Sequence, residues 1–161
     1  MKPTFVMTIG IPGSGKSTWV SRFRTLERFV VICPDKIRKK LTHDISNQAL
    51  NIEVWAEAKK QVVEALRDDK TPILDACNVN TELRRDFLID LPDCHKIARV
   101  FRMNPEIAYE HVSKDIQKGF DRSNVPESVV YRMYGEFLYT LKVVYDEFDK
   151  VYEMDSIGLL L

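Results

Sequence analysis

Short apolar runs alternate with stretches of helical periodicity along this chain. Residues 5–9 and 29–33 are mostly apolar and continuous, which is typical of parallel strands covered on both faces. Between residues 51 and 66, apolar positions recur at helical spacing and predict an amphipathic helix. The predicted strands are 4–9, 29–33, 72–75, 95–101 and 151–154. The predicted helices are 17–25, 36–41, 51–66, 81–88, 106–117 and 129–148.

This alternation predicts an α/β fold in which a five-stranded, mainly parallel sheet lies between helical layers. We find no internal repeat, low-complexity segment or interdomain linker, so residues 1–161 are expected to form a single domain. In open parallel sheets, ligands bind at the carboxyl ends of the strands. Polar residues just after each strand are therefore the first candidates for a functional site.

The segment after the first strand carries a complete GxxxxGK[ST] motif, from Gly10 to Thr18. Glycine permits a positive φ and leaves the backbone N–H groups open to a phosphate. Lys16 is expected to reach the β- and γ-phosphates, and the Ser17 hydroxyl to hold Mg²⁺. The alternative is an ordinary Gly-rich turn, but the full motif between a strand and a helix favours nucleoside triphosphate binding. The expected contacts are Gly10, Pro12, Gly13, Ser14, Gly15, Lys16, Ser17 and Thr18.

The composition limits the partners and the cellular compartment that we expect for this chain. Lys plus Arg equal Asp plus Glu at 24 each, so no global field attracts the chain to nucleic acid or to an anionic membrane. Three cysteines without CxxC spacing are typical of a reducing compartment. There is no apolar run of membrane-spanning length and no signal-peptide pattern, so we expect a soluble, cytoplasmic protein.

Asp35 lies just beyond the second predicted strand and is expected to face the same crevice as the phosphate loop. A carboxylate there can accept a proton from an attacking hydroxyl. Arg38 follows one helical turn later and could fix an acceptor or hold Asp35 ionised. Lys36, Lys39 and Lys40 make the same helix basic and could bind an anionic acceptor. The alternative is that Asp35 only caps this short helix and that the three lysines form a solvated face.

Asp75 and Asn78 follow the third predicted strand. A carboxylate at this place commonly contacts Mg²⁺, directly or through water, so Asp75 is a candidate metal residue beside Ser17. The alternative is that Asp75 and Asn78 only cap the next helix and shape its turn. Arg84 and Arg85 either lie on the surface or line an acceptor groove.

The charged stretch around residues 114–126 resembles a mobile lid. Lys114 and Lys118 are four positions apart on one helix face, and Arg122 follows in a connection that contains Gly119. Such segments can close over ATP, exclude water and neutralise the transferred phosphoryl group. We expect Lys118 and Arg122 to contact the nucleotide, and the alternative is an ordinary charged surface loop.

Several blocks together resemble the kinase half of phage polynucleotide kinases, within the wider group of small P-loop kinases. The resemblance is densest from Met7 to Trp19, and Trp19 is telling because ATP binding does not require it. It returns at 33–38, at 75–85 and at 125–134, and so spans nearly the whole chain. It implies a P-loop three-layer sandwich with a helical lid.

The resemblance also implies chemistry. By it, Asp35 deprotonates a 5′-hydroxyl, Arg38 orients the acceptor phosphate, and lid side chains contact the phosphates of ATP. The expected catalytic residues are Lys16, Asp35 and Arg38, with ATP and Mg²⁺ as the implied ligands and a nucleic acid 5′-hydroxyl end as the partner. Related phage enzymes are tetramers, and the resemblance leaves the oligomeric state open.

Three departures from the family are visible. Ala76 stands where the family has a carboxylate, and Asp75 lies one residue earlier. The family lid carries two arginines four apart, whereas this chain has Lys114 and Lys118, which lack the planar fork of arginine. The phosphatase domain that often follows the phage kinases has no counterpart in these residues.

The hypothesis from the sequence is a P-loop kinase that transfers the γ-phosphoryl group of ATP to the 5′-hydroxyl of DNA or RNA. A kinase of nucleosides, nucleotides or sugars is the main alternative, and a non-catalytic nucleotide-binding module is a third. No NKxD motif for guanine is present, which argues against a GTPase switch.

Overall fold

The computed structural model describes residues 1–155 and contains a five-stranded sheet. The strands are β1 (Thr4–Ile9), β2 (Phe29–Ile32), β3 (Thr71–Leu74), β4 (His95–Phe101) and β5 (Lys150–Met154). Their order is β2-β3-β1-β4-β5, and every neighbouring pair is parallel. In the central strand β1, Val6 is in register with Ile73 of β3 on one side and with Ile97 of β4 on the other. The α/β fold expected from the sequence is confirmed.

Six α-helices connect the strands. They are α1 (Lys16–Val20), α2 (Pro34–Thr42), α3 (Asn51–Arg67), α4 (Thr81–Ile89), α5 (Pro105–Gln117) and α6 (Glu127–Val143). Short 3₁₀ turns follow α1, at Ser21–Phe23, and α6, at Val144–Asp146.

Helix boundaries are where sequence and structure differ most. The helix predicted over 17–25 ends at Val20, and the Ser21 hydroxyl donates to the carbonyl of Thr18 at 2.7 Å. Such local bonds compete with the helical ladder. The helix predicted from residue 36 begins instead at Pro34, because proline is preorganised for the first helical position. The helix predicted over 129–148 ends at Val143.

The sheet separates two hydrophobic clusters. Phe5, Met7 and Ile9 of β1 pack on one face against residues from α3 to α6. Val6 points to the other face, as alternation along a strand requires, and packs with Trp19 and Phe101. Trp19 lies 4.7 Å from Phe23 and 5.9 Å from Phe101 between ring centroids, so its role is in the core.

The helix α3 shows how the apolar stripe is used. Val54, Ala58, Val62, Ala65 and Leu66 are buried against the sheet. Ile52, which the sequence pattern assigned to the stripe, is exposed because it lies on the opposite side of the first turn. None of the helices within residues 1–155 combines the length and the apolar character needed to cross a bilayer.

Candidate active site

The phosphate loop joins β1 to α1 and is shaped by close backbone approaches. Gly13 has φ 80° and Gly15 has φ 94°, in the region that favours glycine. A Cβ at Gly13 would lie 2.1 Å from the carbonyl oxygen of Ala108 in α5. A Cβ at Gly10 would lie 2.7 Å from the Ser14 hydroxyl. A side chain at Gly13 would therefore collide with the backbone of α5, and one at Gly10 would meet both the Ser14 hydroxyl and, at 3.0 Å, the carbonyl oxygen of Phe101.

The side chain of Lys16 folds back onto the phosphate loop. It is buried, and Nζ donates to the carbonyl of Ile11 at 2.8 Å and to the Ser14 hydroxyl at 3.4 Å. These bonds hold the ammonium group among the loop N–H groups, where an anion would be stabilised by both.

Ser17 and Asp75 face each other across the carboxyl ends of β1 and β3. The Ser17 hydroxyl lies 3.1 and 3.2 Å from the two carboxylate oxygens of Asp75. Burial raises the pKa of the Asp75 carboxyl, although the charges of Lys16 and Arg24 and the Ser17 hydrogen bond oppose this effect. Arg24 approaches Asp75 at 4.0 Å.

This oxygen pair fits a small hard cation. Mg²⁺ prefers one or two protein oxygens together with water and substrate phosphates, rather than a full protein cage. Ser17 and Asp75 supply a hydroxyl and a carboxylate of that kind. Within residues 1–155 there is no cluster of three or more His, Cys, Asp or Glu residues that could hold a metal by itself.

Asp35 lies in the first turn of α2, three residues beyond the end of β2. The N-cap position belongs to Cys33, so the alternative that Asp35 is the cap is wrong. The carboxylate of Asp35 accepts a hydrogen bond from Nη1 of Arg38, and half of its side chain is exposed. The negative charge of Asp35 also contributes to the raised pKa of Asp75, as expected for two carboxylates that follow the neighbouring strands β2 and β3.

The loop after β3 is held by side-chain bonds. The Thr8 hydroxyl donates to the carbonyl of Ala76 at 2.9 Å, and the Asn78 amide donates to the carbonyl of Thr8 at 2.8 Å. The cap of α4 is Asn80, whose side chain accepts from the N–H of Leu83 at 3.0 Å. Asp75 and Asn78 therefore do not cap this helix.

Arg84 and Arg85 do not offer two free cations to a groove. The Arg84 side chain is fully buried, and Nε donates to the Glu147 carboxylate at 2.7 Å. Its Nη1 also donates to the carbonyl of Asn78 at 2.8 Å and to the Thr140 hydroxyl at 3.0 Å. Arg85 is half-exposed and binds the other oxygen of Glu147 at 2.7 Å. Arg84 thus anchors the loop after β3 to the end of α6.

The predicted lid is the end of α5 together with the connection to α6. Lys118 is the exposed C-cap residue of α5, and Lys114 lies 3.8 Å from Glu110 on the same helix. Arg122 is paired with Asp115. Two further contacts link this segment to the α2 region: an ion pair between Lys39 and Asp121, and a bond from the Ser123 hydroxyl to the carbonyl of Ile45 at 3.3 Å.

Three neighbours of the site were missed by the sequence pattern. Ala108 and His111 of α5 contact the phosphate loop, and Nδ1 of His111 lies 2.8 Å from the carbonyl oxygen of Gly13. Asn51, the first residue of α3, accepts a hydrogen bond from Nη2 of Arg38 at 3.0 Å. No local motif marks these residues, because their partners are distant in sequence.

Two cysteines border the site. Cys33 is the N-cap residue of α2 and directly follows β2. Cys77 lies in the loop after β3, and its carbonyl accepts a hydrogen bond from the N–H of Gly10 at 2.9 Å. Burial raises the pKa of both thiols. Both therefore stay as neutral thiols at physiological pH, without the thiolate character of a nucleophile.

The parallel sheet, the phosphate loop and the Ser17–Asp75 pair define an α/β P-loop domain with a kinase-like fold. Residues 5–138 match the model of the family described as "AAA domain", and the chain belongs to this family. No curated protein matches the sequence.

Solved structures share the fold at low sequence identity. A chain in a structure of the Pnkp1/Rnl/Hen1 RNA repair complex is 21% identical with a TM-score of 0.78, and the match covers 91% of this chain and 47% of that one. A second structure of the Pnkp1/Rnl/Hen1 complex gives 23% identity, a TM-score of 0.61 and coverage of 68% and 38%. A putative kinase from Chloroflexus aurantiacus gives 12% identity, a TM-score of 0.70 and coverage of 97% and 89%. The chain thus spans about half, or less, of the two RNA repair chains.

Proposed function

We propose that this chain transfers the γ-phosphoryl group of ATP to a hydroxyl, and that its acceptor is the 5′-hydroxyl end of a DNA or RNA strand. The observation that carries the proposal is the Asp35–Arg38 pair beside the Ser17–Asp75 pair, on neighbouring strand ends. The Asp35–Arg38 pair suits a hydroxyl acceptor, and the Ser17–Asp75 pair suits a metal ion bound to the phosphates of the donor.

On the donor side, the loop from Gly10 to Thr18 surrounds the triphosphate with backbone N–H groups, and Lys16 adds a positive charge. Ser17 and Asp75 are the residues that would hold Mg²⁺, which when bound neutralises charge on the β- and γ-phosphates. Lys118 and Arg122 are proposed as lid contacts to ATP. Arg122 must exchange Asp115 for a phosphate in order to make that contact.

On the acceptor side, Asp35 accepts the proton of the attacking hydroxyl. The oxygen of that hydroxyl bonds to the γ-phosphorus as the bond to the leaving oxygen of ADP breaks. Half of the Asp35 side chain is exposed, so a substrate can reach it, whereas Arg38 is 6% exposed and points its guanidinium at the same place. Arg38 binds the phosphate that follows the first nucleoside of the strand.

The remaining surface favours an acceptor that is recognised near its end. Arg84 and Arg85 are held by Glu147 and do not extend the positive charge beyond Arg38. The fold shared with chains of an RNA repair complex also supports a nucleic acid acceptor. A kinase of nucleosides, nucleotides or sugars is the second candidate, because Lys39, Arg84, Arg85 and Arg122 are paired with carboxylates of this chain.

The test is transfer from γ-labelled ATP with Mg²⁺ to a 5′-hydroxyl oligonucleotide, to a mononucleoside, or to no acceptor. We expect label on the oligonucleotide, and a loss of about 10²–10⁴-fold in kcat for Asp35→Asn. Asp93→Asn is the matched control, because Asp93 is exposed at the opposite end of the sheet. Label on the small acceptor alone would make the chain a metabolite kinase. Turnover that needs no acceptor would contradict the kinase proposal.

A further inference from the structure

Two of the three nitrogens of the Arg38 guanidinium are hydrogen-bonded, and the third has no partner among the described residues. Nη1 donates to Asp35, and Nη2 donates to Oδ1 of Asn51 at 3.0 Å. Nε is buried and has no hydrogen-bond partner within residues 1–155. A buried, unpaired donor on a charged group is costly, so the guanidinium keeps hydrogen-bonding capacity that its contacts with Asp35 and Asn51 do not use.

Asn51 reaches Arg38 because α2 and α3 lie against each other. It is the first residue of α3, and it follows Arg38 by thirteen positions. The backbone at Arg38 is fixed from the other side, since its carbonyl accepts from the Thr42 hydroxyl at 2.8 Å. The guanidinium is therefore fixed at its base by α2 and at its tip by α3.

The chemistry of asparagine suits this place. Its amide oxygen accepts a hydrogen bond but carries no charge, so it orients Arg38 without neutralising it. Asp35 is then the only carboxylate paired with Arg38 among the described residues. A carboxylate in place of Asn51 would form a second ion pair and compete with an anionic acceptor.

From this geometry we propose that Asn51 is a positioning residue, which holds Arg38 so that its guanidinium binds the phosphate next to the acceptor hydroxyl. The inference rests on the proposed function, in which Arg38 binds the phosphate on the 3′ side of the acceptor nucleoside, and it adds Asn51 as the residue that orients Arg38. Asn51 itself makes no contact with the reacting atoms.

The kinetic test compares two acceptors, a nucleoside 3′-monophosphate and the plain nucleoside. Asn51→Ala should raise KM for the phosphorylated acceptor about tenfold, the usual effect of losing one hydrogen bond to a charged group. KM for ATP and for the plain nucleoside should change less than twofold. Asn51→Asp should lose the preference for the phosphorylated acceptor to a similar degree. Glu53→Gln, an exposed change in the same helical turn, is the control.

A structural readout tests positioning separately from catalysis. The NMR signal of the Arg38 Nε–H can be assigned by its loss in Arg38→Lys. In the unmodified protein this proton should exchange slowly with solvent, because Nε is buried. It should exchange at least tenfold faster in Asn51→Ala and remain slow in Asn51→Asp, which keeps an oxygen at the same place.

The two readouts separate the possible failures. An unchanged exchange rate in Asn51→Ala, or equal losses with both acceptors, would overturn the role of Asn51. If the unmodified protein phosphorylates no acceptor, the proposed function fails, and the exchange rate of the Arg38 Nε–H still decides whether Asn51 positions that side chain.

Discussion

At the scale of single residues, Asp75 combines a structural cost with a proposed role in holding Mg²⁺. Its carboxylate is buried, and burial raises its pKa above the ordinary value of 3.8. Between pH 3.8 and the raised pKa, the folded chain binds more protons than the unfolded chain, so stability falls as pH rises through this window. Above the window the ionised carboxylate lowers the free energy of unfolding.

Asp75→Asn should therefore raise the thermal unfolding midpoint at pH 7, and this gain should vanish below about pH 4. Each kcal/mol regained corresponds to about 2–4 °C in a chain of this size. The same variant should lose phosphoryl transfer, because the proposed metal ligand is gone. Asp93→Asn is the exposed control and should shift the midpoint less. A midpoint at pH 7 below that of the unmodified protein would show that the contacts to Ser17, Lys16 and Arg24 outweigh desolvation.

The same scale shows which residues a sequence can reveal. The phosphate loop could be predicted because its glycines, Lys16 and Ser17 are adjacent, and each satisfies a local requirement. Arg84 could not be assigned, because its partner Glu147 is 63 positions away. A pair of arginines on a helix normally indicates a solvated face. Here the fold buries one of the two against a carboxylate and so removes it from any groove.

At the scale of elements, the contact between α5 and the phosphate loop couples the proposed lid to the nucleotide site. Ala108 packs on Gly13, and His111 contacts the same glycine through its ring. The periodicity of α5 predicted the helix but not this neighbour. The pattern also extended α1 and α6 too far, since apolar periodicity does not mark where a helix gives way to a 3₁₀ turn.

Gly13→Ala tests this contact, with Gly119→Ala as its match. Both glycines have a positive φ, 80° and 76°, so both variants meet a similar backbone penalty of about 1 kcal/mol. Only at Gly13 does the new Cβ collide with another element, 2.1 Å from Ala108, whereas nothing lies within 4 Å at Gly119. Calorimetry should show ATP affinity reduced at least tenfold by Gly13→Ala and changed less than twofold by Gly119→Ala. Equal effects of the two variants would show that backbone strain, and not the α5 contact, controls the loop.

At the scale of the whole molecule, the charges are balanced, and two of the cations near the site are paired with carboxylates. The sequence holds 24 basic and 24 acidic residues. Lys39 and Arg122 bind Asp121 and Asp115, so these cations are not free to replace counterions along a nucleic acid. The net charge was readable from the sequence. The pairing was not, because it depends on how α2 and the segment after α5 meet.

This balance predicts that the acceptor is bound at its 5′ end. KM for the acceptor should therefore depend little on the length of the strand or on the salt concentration. One phosphate contact to a single strand contributes a slope of about −0.7 when the logarithm of affinity is plotted against the logarithm of salt concentration. We expect the logarithm of 1/KM for a 5′-hydroxyl oligonucleotide to follow a slope between about −0.7 and −1.5, the range for one or two such contacts. Lengthening the acceptor from 2 to about 20 nucleotides should change KM less than threefold, since Lys39, Arg84, Arg85 and Arg122 are held by carboxylates of this chain. Arg38→Lys serves as the reference, because it keeps the charge and removes the planar fork; it should weaken binding without changing the slope. A slope steeper than about −3 would reveal a cationic track along the strand and contradict recognition confined to the 5′ end.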